Sequence, residues 1–205
     1  MFTAEVASAL DLARELHRDQ RRKGTAIPYL GHLLAVAALV AEHGGSEAQV
    51  IAALLHDALE DQGDKITAAA IEARFGAEVA AIVVACTDAA TTPKPPWRPR
   101  KEAYLAHLPQ APRPAWLVSC ADKVHNAEAI REDLLEQGEA VFARFSAGKG
   151  EVVWYYRALA DRFLRLLPGP LARRLDRAVA EIERLSNLAG APPSRPDSQA
   201  APGSD

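Results

Sequence analysis

Apolar residues recur at three- and four-residue spacing along most of this chain, and that period constrains the fold more than any other feature. Val6, Leu10, Ala13 and Leu16 share one helical face, while Asp11, Arg14, Glu15 and Arg18 fall elsewhere. The period returns in HLLAVAALVAEHGG from His32, in SEAQVIAALLHDALED from Ser46 and in AWLVSCADKVHNAEAIREDLLEQG from Ala115. Further helices read from Thr67 to Phe75-Gly76, through AEVAAIVVACTD, over Lys101 to Leu108, from Glu151 to Leu167 and from Leu171 to Leu188. The run VVA near residue 83 is the one strand-like stretch, short and Ala-flanked. The pattern predicts an all-α fold, a single bundle of about eight to ten helices.

Turn chemistry sets the boundaries. Pro28 breaks the chain after a basic turn, RRKGTAIPY, and Gly44-Gly45 ends the helix that His32 opens. Ser46 with Gln49 three residues on forms a capping box. The Pro-rich, basic stretch TTPKPPWRPR reads as an irregular loop, and Pro168-Gly169-Pro170 separates the last two helices. One domain is expected over residues 1–188. The remainder, AGAPPSRPDSQAAPGSD at 189–205, has the composition of a disordered tail.

Composition narrows the function. A formal net charge of −3 over 205 residues argues against a general nucleic-acid binder, yet leaves room for a small phosphorylated ligand in a local basic pocket. Cys86 and Cys120 both sit in apolar runs and read as buried free thiols. The acidic N-terminal segment does not resemble a signal peptide, and no apolar stretch is long enough to span a bilayer, so no membrane is involved and the expected location is the cytoplasm. The oligomeric state is not legible; a homodimer is compatible with the sequence.

The chemistry concentrates at His56-Asp57. This pair ends the apolar run VIAALL and is followed by Glu60 and Asp61. On one continuous helix His56 and Glu60 lie a turn apart, as do Asp57 and Asp61, so all four line one side of its end. Ionisable groups beside Leu54 and Leu55 are costly unless a cation or hydrogen bonds compensate. Asp122 likewise emerges from an apolar run, one turn before Asn126. With His32, the set supplies two imidazoles and two carboxylates, a shell suited to manganese, iron or zinc rather than magnesium or calcium. A solvated, charged helix end is the competing reading of the HDxxED stretch taken alone. His17, His43 and His107 read as structural or surface residues.

The order H…HD…D resembles the HD-domain phosphohydrolases. The segments LARELHRDQRRKGTAIPYLGHLLAVA, AALLHDALED, FGAEVAAIVVACTD and CADKVHN are similar, in order and spacing, to the hydrolase domain of the RelA/SpoT family, in particular its stand-alone small alarmone hydrolases. The likeness covers roughly residues 3 to 165. It implies a manganese-dependent enzyme of the stringent response that removes pyrophosphate from the ribose 3′ position of guanosine tetra- and pentaphosphate. It implies His32, His56, Asp57 and Asp122 as metal ligands, and Glu60 and Asp61 as the pair that orients or activates water. Arg21, Arg22, Lys23 and Thr25 match the family's basic substrate-binding element, and Asn126 a further substrate contact. Lys94, in the second basic cluster with Arg98, Arg100 and Lys101, and Tyr155 or Tyr156 extend the substrate-binding set. The chain departs from the family at Leu33, where proline is usual, and at Gln62, where threonine usually follows the acidic pair. Two alternatives stand beside this reading. One is a relative acting on an adenine-based alarmone, NADPH or a deoxynucleoside monophosphate. The other is a non-catalytic nucleotide-binding module, which retention of the whole acidic and histidine set disfavours.

Overall fold

The computed structural model describes residues 2–88 and 95–186; Lys94 and the 189–205 tail lie outside the described residues. Local signals start and stop most helices where expected. Thr3 accepts from the Glu5 N–H and opens α1 (Ala4–Leu16). α2 (Leu30–Glu42) ends at Gly44, which takes φ +78°, a backbone region glycine enters without steric cost. The Ser46–Gln49 capping box forms with both reciprocal bonds and opens α3 (Glu47–Leu55).

α3 stops earlier than its sequence pattern suggests. Expected to run to Asp61, it ends at Leu55, and a separate single turn follows as α4 (Ala58–Asp61). At the junction Asp57 adopts φ −98°, ψ 2°, outside the helical region. His56 Nδ1–H donates to the Ala53 carbonyl at 2.8 Å, the acceptor a continuing helix would offer to the Asp57 N–H. The histidine thus occupies, at the break, the carbonyl that a continuing helix would use.

Thr67 caps α5 (Ala68–Phe75), and Gly76 at φ +89° joins it to α6 (Ala77–Cys86). The VVA run lies inside α6, so its strand-like look is overridden by packing. Among the described residues no strand forms beyond an isolated bridge between Arg21 and Pro28. α7 (Trp97–His107) begins inside the stretch expected to be loop. Pro99 is its third residue, where a missing N–H breaks no helical bond. A 3-10 turn (Leu108–Gln110), α8 (Arg113–Gln137), an unanticipated 3-10 segment (Gly138–Arg144), α9 (Lys149–Leu166) and α10 (Pro170–Leu185) complete the chain, giving ten α-helices among the described residues.

α3 and α8 form the centre. α3 buries every residue from Val50 to Leu55 and packs against α1, α2, α6 and α8. α8 in turn meets α2, α6, α9 and α10. Each large side chain so buried contributes about 1.5–3 kcal/mol. Polar groups reach this centre where the α3–α4 break, α2 and α8 converge. No helix among the described residues is long and apolar enough to cross a membrane.

Candidate metal centre

Three elements bring four side chains together: α2 carries His32 and the α3–α4 break carries His56 and Asp57, whose ligand atoms all lie within 4.8 Å of one another, and α8 carries Asp122, which approaches both histidines. His56 Nε2 is 3.0 Å from Asp57 Oδ2 and 3.6 Å from Asp122 Oδ1. His32 Nε2 is 3.2 Å from Asp122 Oδ1 and 3.7 Å from Asp57 Oδ2. Both Nε2 atoms are buried and make no hydrogen bond. Ligands about 2.0–2.2 Å from one ion stand roughly 3 to 4.4 Å apart, and these separations fit that range. A divalent cation would satisfy both orphaned nitrogens, and the residues present fit one.

Neighbouring bonds aim each ligand. The His56 Nδ1–H bond to Ala53 fixes its tautomer and turns Nε2 to the cluster. His32 Nδ1 lies 2.9 Å from His125 Nδ1. Burial, reinforced by His32 and Arg22, lowers the His125 pKa to about 4, so His125 is neutral and accepts the His32 proton. Tyr29 donates its hydroxyl to Asp57 Oδ2 at 2.5 Å. Asp122 accepts from Lys123 Nζ at 2.6 Å through Oδ2, and from Asn126 Nδ2 through Oδ1. Burial opposes the charge on Asp122, but Lys123 and the two histidines outweigh it and hold the carboxyl well below its usual range. Asp57 is likewise held low against burial by His56 and His32. Burial works against charge on His56 as well, yet the two carboxylates raise its pKa well above 6.5.

The basic turn faces the same place. A cleft of about 840 Å³ is lined by Arg21, Arg22, Lys23, Thr25, His32, Asp61, Asn126, Arg144 and Tyr156 among others. Arg22 Nη2 donates to Asn126 Oδ1 at 2.8 Å, so Asn126 ties the basic turn to Asp122. Thr25 Oγ1 closes the turn on the Arg22 carbonyl. Gly24, at φ +75°, lies so close to Arg144 that a Cβ would fall 2.6 Å from Arg144 Cδ.

The acidic pair divides. Asp61 lines the cleft, whereas Glu60 accepts from the Asp88 N–H at 3.2 Å and lies 4.0 Å from Arg100. Arg100 and Lys101 both pair with Asp88. Tyr155 does not itself line the cleft; it lies edge-on to Trp97 and to the cleft-lining Tyr156, with Lys101 over its ring. Tyr29, His125, Lys123 and the Asp88–Arg100 pair escaped sequence reasoning. Only the position of Tyr29, one turn before His32, could have hinted at its role.

The family model described as HD domain matches residues 9–153. Guanosine-3′,5′-bis(diphosphate) 3′-pyrophosphohydrolase MESH1 of Xenopus tropicalis is 38% identical over 131 residues, which cover 62% of this chain and 70% of that protein. The MESH1 of Homo sapiens is 38% identical over 128 residues, 60% of this chain and 68% of that protein. In three dimensions the chain resembles a metazoan ortholog of SpoT, with a TM-score of 0.68 and 24% identity over 92% of this chain and 98% of the other. It also resembles a protein of Listeria monocytogenes EGD-e, with a TM-score of 0.66 and 28% identity over 75% of this chain and 99% of that one.

Proposed function

The chain belongs to the HD-domain family and, within it, to the relatives of the MESH1 pyrophosphohydrolases, and from this premise we propose that it hydrolyses guanosine tetra- and pentaphosphate, releasing pyrophosphate from the ribose 3′ position. The observation that carries the reading is the meeting of a cation-competent cluster with a basic cleft: His32 belongs to both. His32, His56, Asp57 and Asp122 would hold the metal. Manganese is the ion this reading assigns, since two imidazoles and two carboxylates suit it. Such a cation would supply Lewis acidity to the phosphoryl oxygens and to the attacking water.

The chain's own groups do the rest. Arg22, pinned by Asn126, offers a preset guanidinium to phosphate oxygens, and Arg21 and Lys23 add charge at the cleft wall. Asn126 completes this wall, Thr25 shapes the turn from within, and Tyr156 lines the far side. Lys94 belongs to the same set by resemblance. Asp61, at the cleft, accepts the proton that water loses as its oxygen bonds to phosphorus, and Glu60 supports that role from the Asp88 side. The bond from phosphorus to the ribose 3′-oxygen breaks, that oxygen takes up a proton from solvent, and a 3′-hydroxyl nucleotide and pyrophosphate are left.

The test is a manganese-supplemented panel of guanosine tetraphosphate, its adenosine counterparts, NADPH and deoxynucleoside monophosphates, with products identified. Pyrophosphate from the guanosine substrate at the highest kcat/KM supports the reading. Orthophosphate as sole product, or preference for another member, overturns it.

A further inference from the structure

A second set of polar side chains runs from the cleft wall at Gln20, the residue before the basic turn, into the protein. It joins the end of α1 to Gln62, the residue after α4. Lys65 Nζ lies 2.6 Å from Gln62 Oε1 and 3.4 Å from the Leu16 carbonyl. Gln62 Nε2 lies 2.8 Å from Gln20 Oε1, and Gln20 Nε2 lies 2.7 Å from Asp61 Oδ2. His17 Nδ1 is 2.7 Å from the same Gln20 oxygen.

The direction of every bond follows from its ends. A lysine ammonium only donates, so the Gln62 atom facing Lys65 is its carbonyl oxygen. That turns the Gln62 amide nitrogen toward Gln20, which must answer with its own oxygen. Gln20 Nε2 is left pointing at Asp61, an ionised carboxylate that only accepts. Reversing either amide would set nitrogen against nitrogen or oxygen against oxygen. His17 is buried, its pKa is lowered by that burial, and its Nδ1–H donates to the Gln20 oxygen, fixing the same orientation from a second side. Tyr29 anchors the Gln20 end of the set. The Tyr29 N–H donates to the Gln20 carbonyl at 3.0 Å, and the His17 ring stacks on the Tyr29 ring at 5.4 Å.

We infer that Gln20 is a positioning residue for Asp61: the one-way chain Lys65→Gln62→Gln20→Asp61, locked by His17, fixes the rotamer of Asp61 at the cleft and keeps its carboxylate ready to accept a proton. The charge-assisted bond from Gln20 favours the rotamer in which Asp61 Oδ2 faces the Gln20 amide. Gln62 serves this chain by reaching Gln20 with its amide nitrogen. The role of Asp61 rests on the function proposed above; the hydrogen-bond chain itself does not.

Two measurements test the inference and separate it from that reading. The first is a double-mutant cycle on pyrophosphate release from guanosine tetraphosphate. Gln20→Leu should lower kcat about 10–100-fold with KM within about threefold and bound metal unchanged. In an Asp61→Ala background the same substitution should cost less than about twofold. A purely structural role predicts the same cost of Gln20→Leu with and without Asp61, whereas positioning predicts that the cost vanishes once Asp61 is gone. Equal costs of Gln20→Leu in both backgrounds overturn the inference. The second measurement needs no substrate and stands if the nucleotide reading fails. In nitrogen-15 spectra the Gln20 side-chain amide protons should lie downfield and move upfield in Asp61→Ala, with the Gln62 pair shifting less. Gln20 resonances unmoved by Asp61→Ala overturn it.

Discussion

Tyr29→Phe removes one oxygen atom and leaves the ring, which makes it a clean test of how the metal ligands are aimed. The Tyr29 hydroxyl donates to Asp57 Oδ2 at 2.5 Å, the same oxygen that faces His56 and His32. A hydrogen bond to a charged group contributes about 1.5–3 kcal/mol, and each 1.4 kcal/mol is roughly tenfold in an equilibrium constant. The upper limit is therefore about 150-fold in metal affinity. Two effects reduce it. Tyr29 is half-buried, so water can replace the hydroxyl, and Asp57 keeps its histidine neighbours. We expect manganese to bind about 10–50-fold more weakly to Tyr29→Phe, within the range for residues that orient ligands. Because the phenyl ring retains its contacts with His17 and His32, thermal stability without metal should fall little. Isothermal titration of manganese into metal-free wild type and variant reads the difference directly. Affinities within twofold would refute the claim that Tyr29 sets the Asp57 carboxylate for a cation.

Two further outcomes follow from the same geometry. Gly24→Ala should raise the KM for the nucleotide several-fold with kcat within about twofold, because φ +75° and the 2.6 Å approach to Arg144 force the basic turn to move; an unchanged KM in steady-state assays would contradict this. His125, with its pKa lowered from 6.5 to about 4, contributes stability that is complete above pH 6.5 and is lost as pH falls toward 4, since the unfolded chain takes up the proton first. His125→Gln should therefore flatten the fall of Tm between those pH values, and melting curves that run parallel to wild type would refute the assignment.

Local signals were legible in the sequence wherever a few neighbouring residues decide the outcome. The Ser46–Gln49 box, the Thr67 cap and the glycine ends of α2 and α8 belong to that class. The break at His56-Asp57 was not legible. There an imidazole takes the Ala53 carbonyl, and nothing in an apolar period marks such a bond. The start of α7 at Trp97 was hidden by its prolines, which read as loop although a first turn tolerates them. Residue type and setting suggested His32, His56, Asp57 and Asp122 as one metal shell, and the resemblance implied them as ligands, but spacing along separate helices does not say which faces meet. Tyr29, His125 and Gln20 were missed for a related reason. Their partners lie 28, 93 and 41 residues away, and the residue types alone carry no trace of that proximity.

The most direct measurement of the central claim is turnover of guanosine tetraphosphate in oxygen-18 water with manganese, run beside Asp57→Ala. Attack of water on the 3′-linked phosphorus predicts one oxygen-18 atom in each pyrophosphate and none in the nucleotide product, with Asp57→Ala losing both bound metal and turnover. Label in the nucleotide, release of orthophosphate instead of pyrophosphate, or wild-type turnover by Asp57→Ala would contradict it.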